Sequence, residues 1–367
     1  MVWPGIIVPL RVPLAIRIKM SYPVLGILGG GQLGSMLASS ANKLNIKTII
    51  YSDDKNAPAK NFSDDFIFAN YNDEEKIRYF SDCVDLVTFE FENIPYNTLV
   101  QINNLKPVLP KPDINKIVQD RILEKNFINN LNINTTQYVS INKIDDLTIN
   151  KDLFPGILKT SRFGYDGKGQ FRIESMSKIN NLKIDFKHKY ILEKLIKIKK
   201  EISVIITRFG PESYEIYEPI ENVHEDRILK SSKIPSQINK DIIEKAKNWA
   251  KLIADELGFI GTMCVEYFID KNDNLFVNEI APRVHNSGHL TINSHNVSQF
   301  ENHIRAICKL EKIPIKKLYD AEMINILGNN IEYFRKRKYL DHEFFFDYLK
   351  TEIKPNRKMG HLTTLKI

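Results

Sequence analysis

The chain has little cysteine and lacks a long uninterrupted hydrophobic run. Its 367 residues contain three cysteines, Cys83, Cys264 and Cys308, which stand far apart in the sequence. This spacing excludes a CxxC motif and a disulfide framework, and it is typical of proteins from a reducing compartment. We therefore expect a cytoplasmic location. We expect no membrane partner, because no stretch is long and apolar enough to span a bilayer.

The chain also lacks a concentrated basic surface. The formal net charge is +7, but lysine and arginine are scattered, and no basic stretch alternates with aromatic residues. The densest basic run, Lys194–Lys200, alternates with Leu and Ile and therefore predicts a solvated face of a strand or helix. We expect no nucleic-acid partner, although the positive charge favours anionic small molecules.

Proline-rich stretches mark two boundaries. Residues 1–19 contain prolines among apolar residues, a pattern that fits neither a signal peptide nor a transmembrane helix. We expect them to be a disordered extension, or a segment foreign to the natural protein. A second proline-rich stretch, 106–112, predicts a boundary between domains at 20–112 and 113–310, and a small C-terminal domain follows at 311–367.

The N-terminal pattern is strand, helix, strand. Val24–Leu28 and Ile46–Tyr51 are apolar runs with a helical pattern between them. The intervening loop Gly29–Gly34 (GGGQLG) satisfies G-x-G-x-x-G. Such a loop can present backbone N–H groups to a phosphate, although a tight turn would require the same glycines. With Asp53 downstream, the loop alone predicts a nicotinamide dehydrogenase.

A third apolar strand, Asp85–Phe89, is followed by two acids, Glu90 and Glu92. Side chains at the carboxyl end of a parallel strand lie where open α/β sheets bind ligands. Both acids could instead cap the following helix. Beyond the prolines, the residues from 114 to 130 predict a single helix that carries Arg121.

A glycine-rich loop follows the predicted strand Gly156–Thr160, which contains Lys159. This loop, called here the glycine flap (162–170), reads RFGYDGKGQ. It does not match the GxxxxGK[ST] pattern of a P-loop, and a plain hairpin turn would not require three glycines and two cations. We therefore interpret it as a mobile segment between two strands that closes its backbone over phosphates.

Acidic side chains recur on the next apolar strands. Glu193 lies in the run 190–195, and Glu201 begins the run 201–207. Each acid could accept hydrogen bonds from ribose hydroxyls or an adenine amine, or could lie at an exposed strand end. His224 follows in a polar segment that has no helical or strand pattern.

Polar and titratable side chains are concentrated in Leu275–Thr291 (LFVNEIAPRVHNSGHLT), which follows the apolar run Thr262–Ile269 and a turn. The predicted hairpin has three cross-strand pairs: Glu266 with Glu279, Phe268 with Val277, and Asp270 with Leu275. Opposed carboxylates have Cβ atoms only ~5 Å apart and repel each other. A bound Mg²⁺ would relieve this, because it uses one or two carboxylates together with phosphate oxygens. A turn offset by one residue would instead separate the two acids onto opposite faces.

In combination these motifs resemble the ATP-grasp superfamily. Lys159, the glycine flap, Glu193, Glu201 and the acid pair occur in the order typical of that mixed α/β and α+β fold. A Rossmann-like βαβ (pre-ATP-grasp) domain precedes it and a small C-terminal domain follows. More narrowly, GGGQLG, TFEFENIP, GYDGKGQ, NEIAPRVHNSGH and NRKMGH resemble motifs of the N5-carboxyaminoimidazole ribonucleotide synthase family. These motifs extend from Val24 to Leu362, and NEIAPRVHNSGH is the most specific.

The resemblance implies a reaction, its cofactors and an assembly. A member of this family would be a ligase that uses ATP and Mg²⁺, or Mn²⁺, to convert bicarbonate into carboxyphosphate. The exocyclic amine of aminoimidazole ribonucleotide would capture that intermediate, or CO₂ released from it, in purine biosynthesis. The resemblance also implies a homodimer. It assigns the G-x-G-x-x-G loop to the ribonucleotide side rather than to NAD.

The resemblance further implies roles for individual residues. Arg283, His285 and Lys358 would be catalytic, because a cation stabilises developing negative charge and an imidazole can move a proton. Glu266 and Glu279 would hold the metal. The residues implied to hold ATP are Arg121, Lys159, Gly164, Tyr165, Asp166, Gly167, Lys168, Gly169, Gln170, Glu193, Lys194, Leu195, Ile196, Glu201, His224, Asn278 and Glu279. Those implied to hold the ribonucleotide are Gln32, Leu33, Glu90, Tyr165, Asp166, Lys168, Asn286, Ser287, Arg357 and Lys358.

Two features depart from the wider superfamily. Many ATP-grasp enzymes have an asparagine two residues after the second metal-binding acid, where this chain has Ala281. The metal would therefore be held by two carboxylates and substrate oxygens. The chain also ends soon after His361, from which we expect an abbreviated C-terminal domain.

Other classes of protein account for part of the pattern. A nicotinamide dehydrogenase explains the first glycine loop but neither the flap nor the acid pair. A formyl-phosphate-using transformylase or a biotin-carboxylase-like enzyme would share many parts, but RVHNSGH and the ribonucleotide motifs argue against both. A nucleotide-binding regulatory protein would keep its function after Arg283 or His285 is changed, whereas the enzyme would lose activity and still bind ATP.

Overall fold

The computed structural model of the chain describes residues 22–162, 169–179 and 184–367. Within these ranges the chain forms three β-sheets with helices packed against them. Residues 1–19 and the flap residues 163–168, for which the sequence made predictions, lie outside the described residues. No helix in the described ranges is long and apolar enough to cross a bilayer.

The first sheet is parallel and carries the N-terminal glycine loop. Its strands are β1 (Leu25–Leu28), β2 (Thr48–Ser52), β3 (Asp65–Phe68) and β4 (Leu86–Phe89), and its helices are α1 (Gln32–Lys43), α2 (Glu74–Cys83) and α3 (Tyr96–Asn103). The strand order is β3-β2-β1-β4. Because β1 pairs in parallel with β4, the loops that follow these two strands meet at the carboxyl edge of the sheet.

Two helices occupy the region for which one helix was expected. α4 spans Pro112–Val118 and α5 spans Arg121–Asn130. Asp120 separates them, because its backbone is extended and its side chain accepts two N–H groups of the next turn as an N-cap. The prediction of one continuous helix was therefore wrong. The break places Arg121 in the first turn of α5.

The second sheet is small and antiparallel. Its strands are β5 (Tyr138–Ile141), β6 (Gly156–Thr160), β7 (Gln170–Ile173) and β8 (Tyr190–Lys194), and α6 (Ile144–Ile149) and α7 (Met176–Ile179) lie beside it. The strand order is β5-β8-β6-β7. Since β6 and β7 are adjacent, the glycine flap connects two paired strands, as its sequence predicted.

The third sheet contains most of the remaining strands. They are β9 (Ile198–Gly210), β10 (Ser213–Ile216), β11 (Ile220–Glu225), β12 (Ile228–Ile234), β13 (Gly261–Asp270), β14 (Leu275–Ala281), β15 (Asp320–Leu327), β16 (Glu343–Asp347) and β17 (Lys358–Lys366). The order is β14-β13-β9-β11-β12-β15-β17-β16, and β10 pairs with β9. The C-terminal strands therefore continue the large sheet. Its helices are α8 (Lys240–Glu256), α9 (Thr291–Ser294), α10 (Gln299–Ile307) and α11 (Ile331–Lys336).

Two expectations about this sheet were wrong. His224 lies on β11 rather than in an irregular segment, and Glu201 lies inside β9, which begins at Ile198. The strand pairing explains both differences, because β11 is flanked by β9 and β12, and the first residues of β9 pair with β13. Pairing with neighbouring strands outweighed the polar local sequence.

Helix α10 joins the first sheet to the third. Its buried residues Phe300 and Ile304 pack in the same core as β1 and α1. His303 lies 2.8 Å from the Thr88 hydroxyl through Nε2 and accepts the Thr262 N–H at Nδ1 over 3.0 Å. Burial lowers the pKa of His303 to about 3, so this histidine is a neutral structural link.

Candidate active site

A cavity of about 740 Å³ lies where the three sheets meet. It is bounded by the loops after β1 and β4, by the second sheet and by the β13–β14 hairpin. The fold thus brings together side chains that are far apart in the sequence. The predicted residues that line the cavity are Gln32, Leu33, Glu90, Arg121, Lys159, Gln170, Glu193, Lys194, Leu195, Ile196, Glu201, His224, Glu266, Asn278, Glu279, Arg283, His285, Asn286 and Lys358.

Three predicted residues lie outside this lining. Ser287 is fully buried behind His285, and Arg357 donates from its guanidinium to the Glu352 carbonyl oxygen over 2.9 Å. Gly169 lies at the end of the flap with a φ of 71°. Direct substrate contact by Ser287 and Arg357 stays a prediction. The predicted residues outside the described ranges are Gly164, Tyr165, Asp166, Gly167 and Lys168.

Glu266 and Glu279 face each other across the β13–β14 hairpin, as predicted. Burial and the nearby charge of Glu279 raise the pKa of Glu266 to about 7. The described residues include no cluster of three or more His, Cys, Asp or Glu side chains arranged to hold a metal. An ion at this pair would therefore need further oxygens from a substrate, which is how Mg²⁺ is commonly bound.

The hairpin register differs from the expectation on the turn side of the acid pair. Phe268 was expected opposite Val277 and Asp270 opposite Leu275. Instead, Val277 pairs with the residue before Phe268, and Leu275 pairs with the residue before Asp270. The turn is longer than expected, and the Asp270 carboxylate accepts N–H groups within it. A β-bulge at Asn278 absorbs the extra residue and returns the two acids to opposite positions.

Helix α5 brings a cation and a third acid to this pair. Arg121 Nη1 lies 3.4 Å from Glu279 Oε2, and the buried Glu124 carboxyl accepts the Ile280 N–H over 2.6 Å. Burial and the charge of Glu279 raise the pKa of Glu124 to about 8. Glu124 was not among the residues predicted from the sequence. Its position three residues after Arg121, on the same helical face, was the available signal.

The second sheet contributes a buried ion pair. Lys159 Nζ on β6 lies 2.8 Å from Glu193 Oε2 on β8. Burial alone would raise the pKa of Glu193, but the charges of Lys159 and Lys125, with the Lys159 hydrogen bond, lower it to about 2. Glu193 is therefore ionised at neutral pH. The Lys159 ammonium lines the cavity, where it can bind phosphate oxygens.

Strands β9 and β11 place Glu201 beside His224. His224 Nδ1 lies 2.5 Å from Glu201 Oε2. Burial would lower the pKa of His224, but its interaction with Glu201 outweighs burial and raises that pKa. The two residues form a polar pair on the cavity wall.

Arg283 is held in place by the loop that follows β4. Its Nε donates to a carboxylate oxygen of Glu92, and its Nη1 donates to the Val284 carbonyl oxygen over 3.0 Å. Gln119 Nε2 in turn donates to the Glu92 carbonyl oxygen over 2.6 Å. Burial would raise the pKa of Glu92, but the charge of Arg283 lowers it. The guanidinium is therefore oriented in the cavity wall by protein contacts alone.

His285 lies between an acid and a serine. Its Nε2 is 3.2 Å from Glu266 Oε1, and its Nδ1 is 2.9 Å from the Ser287 hydroxyl. The Ser287 backbone N–H also donates to Nδ1, so we infer that the neutral ring carries its proton on Nε2. Burial and the charge of Arg283 lower the pKa of His285, which keeps the ring neutral.

A chain of buried polar side chains continues behind His285. The Ser287 and Ser203 hydroxyls are 2.8 Å apart, and Asn222 Nδ2 donates to the Ser203 hydroxyl over 3.0 Å. Ser232 donates to Asn222 Oδ1 over 2.8 Å. This chain fixes the position of Ser287 through contacts with β9, β11 and β12.

The first glycine loop binds a protein carboxylate. Glu90 accepts the N–H groups of Gly31 and Gly34, the latter over 2.7 Å. A Cβ at Gly31 would lie 2.6 Å from Glu90 Oε1, which explains the glycine at this position. In this structure the N–H groups of Gly31 and Gly34 therefore bind a protein carboxylate, whereas the sequence had also allowed a phosphate there. Burial raises the pKa of Glu90.

A lysine from the segment between β16 and β17 contacts two of the predicted ribonucleotide residues. Lys350 Nζ donates to Gln32 Oε1 over 2.5 Å and to the Lys358 carbonyl oxygen over 2.7 Å. Because an ammonium only donates, this contact fixes which atom of the Gln32 amide is the oxygen. No sequence motif marks Lys350, and only the continuation of the large sheet brings it here.

The fold and the site define an ATP-grasp protein. Family profiles agree: the ATP-grasp domain matches residues 126–300, the ribonucleotide synthetase preATP-grasp domain 23–119, and the phosphoribosylaminoimidazole carboxylase C-terminal domain 321–366. The N5-carboxyaminoimidazole ribonucleotide synthase of Bacillus subtilis (strain 168) is 37% identical over 354 residues, which cover 95% of this chain and 93% of that protein. The chain belongs to the N5-carboxyaminoimidazole ribonucleotide synthase family.

Solved structures agree with this assignment. An N5-carboxyaminoimidazole ribonucleotide synthetase in its ADP complex has a TM-score of 0.90 at 36% identity, covering 94% of this chain and 92% of that one. The Aspergillus clavatus synthase in complex with ADP and 5-aminoimidazole ribonucleotide has a TM-score of 0.86 at 28% identity, covering 94% of each chain. The predicted family and fold are therefore confirmed. The dehydrogenase alternative is overturned.

Proposed function

We propose that this chain is an ATP-grasp ligase that carboxylates the exocyclic amine of 5-aminoimidazole ribonucleotide. The products are N5-carboxyaminoimidazole ribonucleotide, ADP and phosphate, and the reaction belongs to purine biosynthesis. Family membership supports this activity, as does the Aspergillus clavatus relative with both ADP and the ribonucleotide. The observation that carries the proposal is the shared cavity in which Arg283 and His285 lie beside the Glu266–Glu279 pair.

ATP would bind between the second and third sheets. The Lys159 ammonium and the glycine flap would both bind phosphate oxygens of ATP, and Glu193–Ile196 would lie along the adenine base. The Glu201–His224 pair would bind the ribose. Arg121 and the bulge residue Asn278 complete this side of the cavity. These assignments are supported by the position of the residues, because those that the structure describes line one continuous cavity.

Mg²⁺, for which Mn²⁺ could substitute, would be held by Glu266 and Glu279. The residues fit such an ion, because two carboxylates that line the cavity face each other and their repulsion contributes to the raised pKa of Glu266. When bound, the ion would neutralise negative charge on the phosphates during phosphoryl transfer.

The first chemical step would activate bicarbonate. A bicarbonate oxygen forms a bond to the γ-phosphorus of ATP while the bond from that phosphorus to ADP breaks. Arg283, oriented by Glu92, would bind the carbonate group and then the carboxyphosphate. His285 would donate a hydrogen bond from Nε2 to an oxygen on which negative charge develops.

The second step would transfer the carboxyl group. The amine nitrogen forms a bond to the carboxyl carbon, either directly or after CO₂ is released, and the bond from carbon to the phosphate oxygen breaks. The proton lost by the amine would leave with the phosphate. Lys358 would stabilise the negative charge of the departing phosphate.

The ribonucleotide would lie against the first glycine loop and the C-terminal strands. Gln32, Leu33, Glu90 and Lys358 line that side of the cavity. Asn286 supports the assignment, because both polar atoms of its buried amide have no hydrogen-bond partner among the described residues. An amide in this state costs free energy unless a ligand pairs with it.

We also propose that the enzyme is a cytoplasmic homodimer. The three free cysteines agree with a reducing compartment. Sedimentation of the purified chain would test the dimer, and cell fractionation would test the location.

The decisive assay measures ADP release from ATP, Mg²⁺ and bicarbonate, with and without aminoimidazole ribonucleotide. We expect strong stimulation by the ribonucleotide and its loss in Glu279→Gln. The control is Glu244→Gln, an exposed change on α8 that should leave the rate unchanged. A folded, ATP-binding protein that shows no stimulation would overturn the substrate but not the fold.

A second assay separates the enzyme from a nucleotide-binding regulatory protein. Arg283→Met and His285→Asn should each lower the rate at least 100-fold while ATP affinity stays within about threefold. Retained turnover in both variants would refute the roles assigned to Arg283 and His285.

A further inference from the structure

β14 is the edge strand of the large sheet, and its outer edge is covered by the backbone segment 134–135 and by side chains rather than by a further strand. The Val277 N–H donates to the Asn134 carbonyl oxygen over 2.8 Å, and the Thr135 hydroxyl donates to the Val277 carbonyl oxygen over 2.9 Å. Buried edge groups of this kind need such partners. The bulge at Asn278 interrupts the regular pairing of β14 with β13 immediately before Glu279.

Two adjacent residues of α5 supply the partners at the bulge. Lys125 Nζ donates to the Asn278 carbonyl oxygen over 3.0 Å. Glu124 Oε1 accepts the Ile280 N–H over 2.6 Å. The backbone is therefore held on both sides of Glu279. Lys125 and Glu124 are 1% and 2% exposed, so water does not compete for these contacts.

We propose that Glu124 and Lys125 form a clamp on the bulge that keeps Glu279 opposite Glu266. The turn sets a register one residue away from the pairing of the two acids, and a one-residue difference in register turns a side chain to the opposite face of a sheet. The clamp stabilises the extra residue at Asn278 and so restores the acid pair.

Glu124 and Lys125 are positioning residues in this arrangement. They act on the backbone that carries Glu279, and Lys125 also contacts the Thr135 hydroxyl over 2.7 Å. The consequence for metal binding rests on the function proposed above. The effect of the clamp on the strand register does not depend on that function. The effect on register and the effect on metal binding can therefore be tested separately.

The first test measures Mn²⁺ affinity in the presence of ADP by electron paramagnetic resonance on the full chain. Lys125→Met should raise the Mn²⁺ Kd at least tenfold, the range typical for residues that support metal ligands. Lys125→Arg, which keeps a cationic donor, should recover part of the loss. Glu124→Met should weaken binding and Glu124→Gln, which keeps an acceptor oxygen, should not.

The second test measures amide hydrogen exchange across residues 275–281 without metal. Exchange in this segment should become at least tenfold faster in Lys125→Met and Glu124→Met. The matched control is Lys200→Met, which removes an ammonium that donates to the Glu221 carboxylate and to the Gln237 carbonyl oxygen, each over 2.8 Å. Lys200 lies on β9, which β13 separates from β14, and its loss should change neither measurement.

The two measurements separate the possible failures. If the unmodified chain binds no Mn²⁺, the proposed metal site fails and hydrogen exchange alone decides the clamp. Unchanged exchange in folded variants would overturn the clamp. Faster exchange with unchanged Mn²⁺ affinity would overturn its role in positioning the acid pair. If Lys125→Met does not fold, the Glu124→Met and Glu124→Gln pair gives the same decision.

Discussion

His285 Nε2 lies 3.2 Å from Glu266 Oε1, while the opposite ring nitrogen accepts a hydrogen bond from the Ser287 backbone. This relationship orients the ring and assigns its proton to the nitrogen that faces the acid pair. The buried chain through Ser203 and Asn222 then holds Ser287 in place. A side chain of the cavity wall is thus oriented by residues that do not line the cavity.

Removing the Ser287 hydroxyl should disturb this orientation. We expect Ser287→Ala to lower kcat about tenfold while KM for ATP stays within twofold, because the ring loses the hydroxyl contact that helps to orient it. The ¹⁵N chemical shifts of His285 should change from a single Nε2-protonated form to a mixture of tautomers.

Ser294→Ala is the matched control for that change. Ser294 is also a buried serine beside a histidine, with its hydroxyl 2.9 Å from His295 Nδ1, but it does not line the cavity. Its loss should leave kcat unchanged. A normal kcat and an unchanged His285 spectrum in Ser287→Ala would refute the positioning role.

Acid stability should depend on Glu193. Its pKa is lowered from an ordinary 4.5 to about 2, so its ionised form stabilises the fold above pH 4.5 and this contribution is lost as the pH falls toward 2. The lost contribution is on the order of 3 kcal/mol. We expect Glu193→Gln to flatten the pH dependence of the unfolding free energy in that window.

Urea unfolding between pH 5 and pH 2 would check this. Glu225→Gln is the control, since Glu225 pairs with Lys230 on the exposed surface and should leave the slope unchanged. Equal slopes for the original chain and Glu193→Gln would contradict the assignment.

Gly31 should be needed for the close approach of Glu90. A Cβ at this position would lie 2.6 Å from Glu90 Oε1, so Gly31→Ala must displace the carboxylate from the loop. We expect KM for the ribonucleotide to rise about tenfold while KM for ATP stays within twofold. Gly210→Ala is the matched control, because its Cβ would meet no atom within 4 Å. An unaltered ribonucleotide KM would rule out a substrate role for this loop.

The titration of His224 should depend on Glu201. The pKa of His224 is raised, so the ion pair is complete below its ordinary value near 6.5 and is lost as the pH rises through the higher folded value. We expect Glu201→Gln to lower that pKa, as followed by NMR of labelled histidine. Glu225→Gln alters the next residue along β11, on the opposite face, and should leave the titration in place. The same titration in Glu201→Gln would contradict the pairing.

Local sequence patterns predicted most strands of the first and second sheets. They failed at two places where a specific contact overrode the pattern of the surrounding residues. The pattern from 114 onward is helical throughout, but the Asp120 side chain caps a new helix and breaks it. The segment around His224 is polar, yet the two flanking strands make it a strand. In the first case a capping side chain decided the structure, and in the second case pairing with two flanking strands did.

The sequence by itself determined which side chains could carry the chemistry. The order of the motifs and the residue types in them identified the family, and the hairpin signals predicted that Glu266 would face Glu279. Side-chain chemistry and turn preference are local properties, so they can be read without a fold.

Only the tertiary structure decided how these side chains are placed. The acid pair exists through a bulge held by Glu124 and Lys125, and the N–H groups of Gly31 and Gly34 bind Glu90 from another strand. The physical reason is that buried backbone and charged groups must find partners, and those partners are supplied by residues that are distant in the sequence.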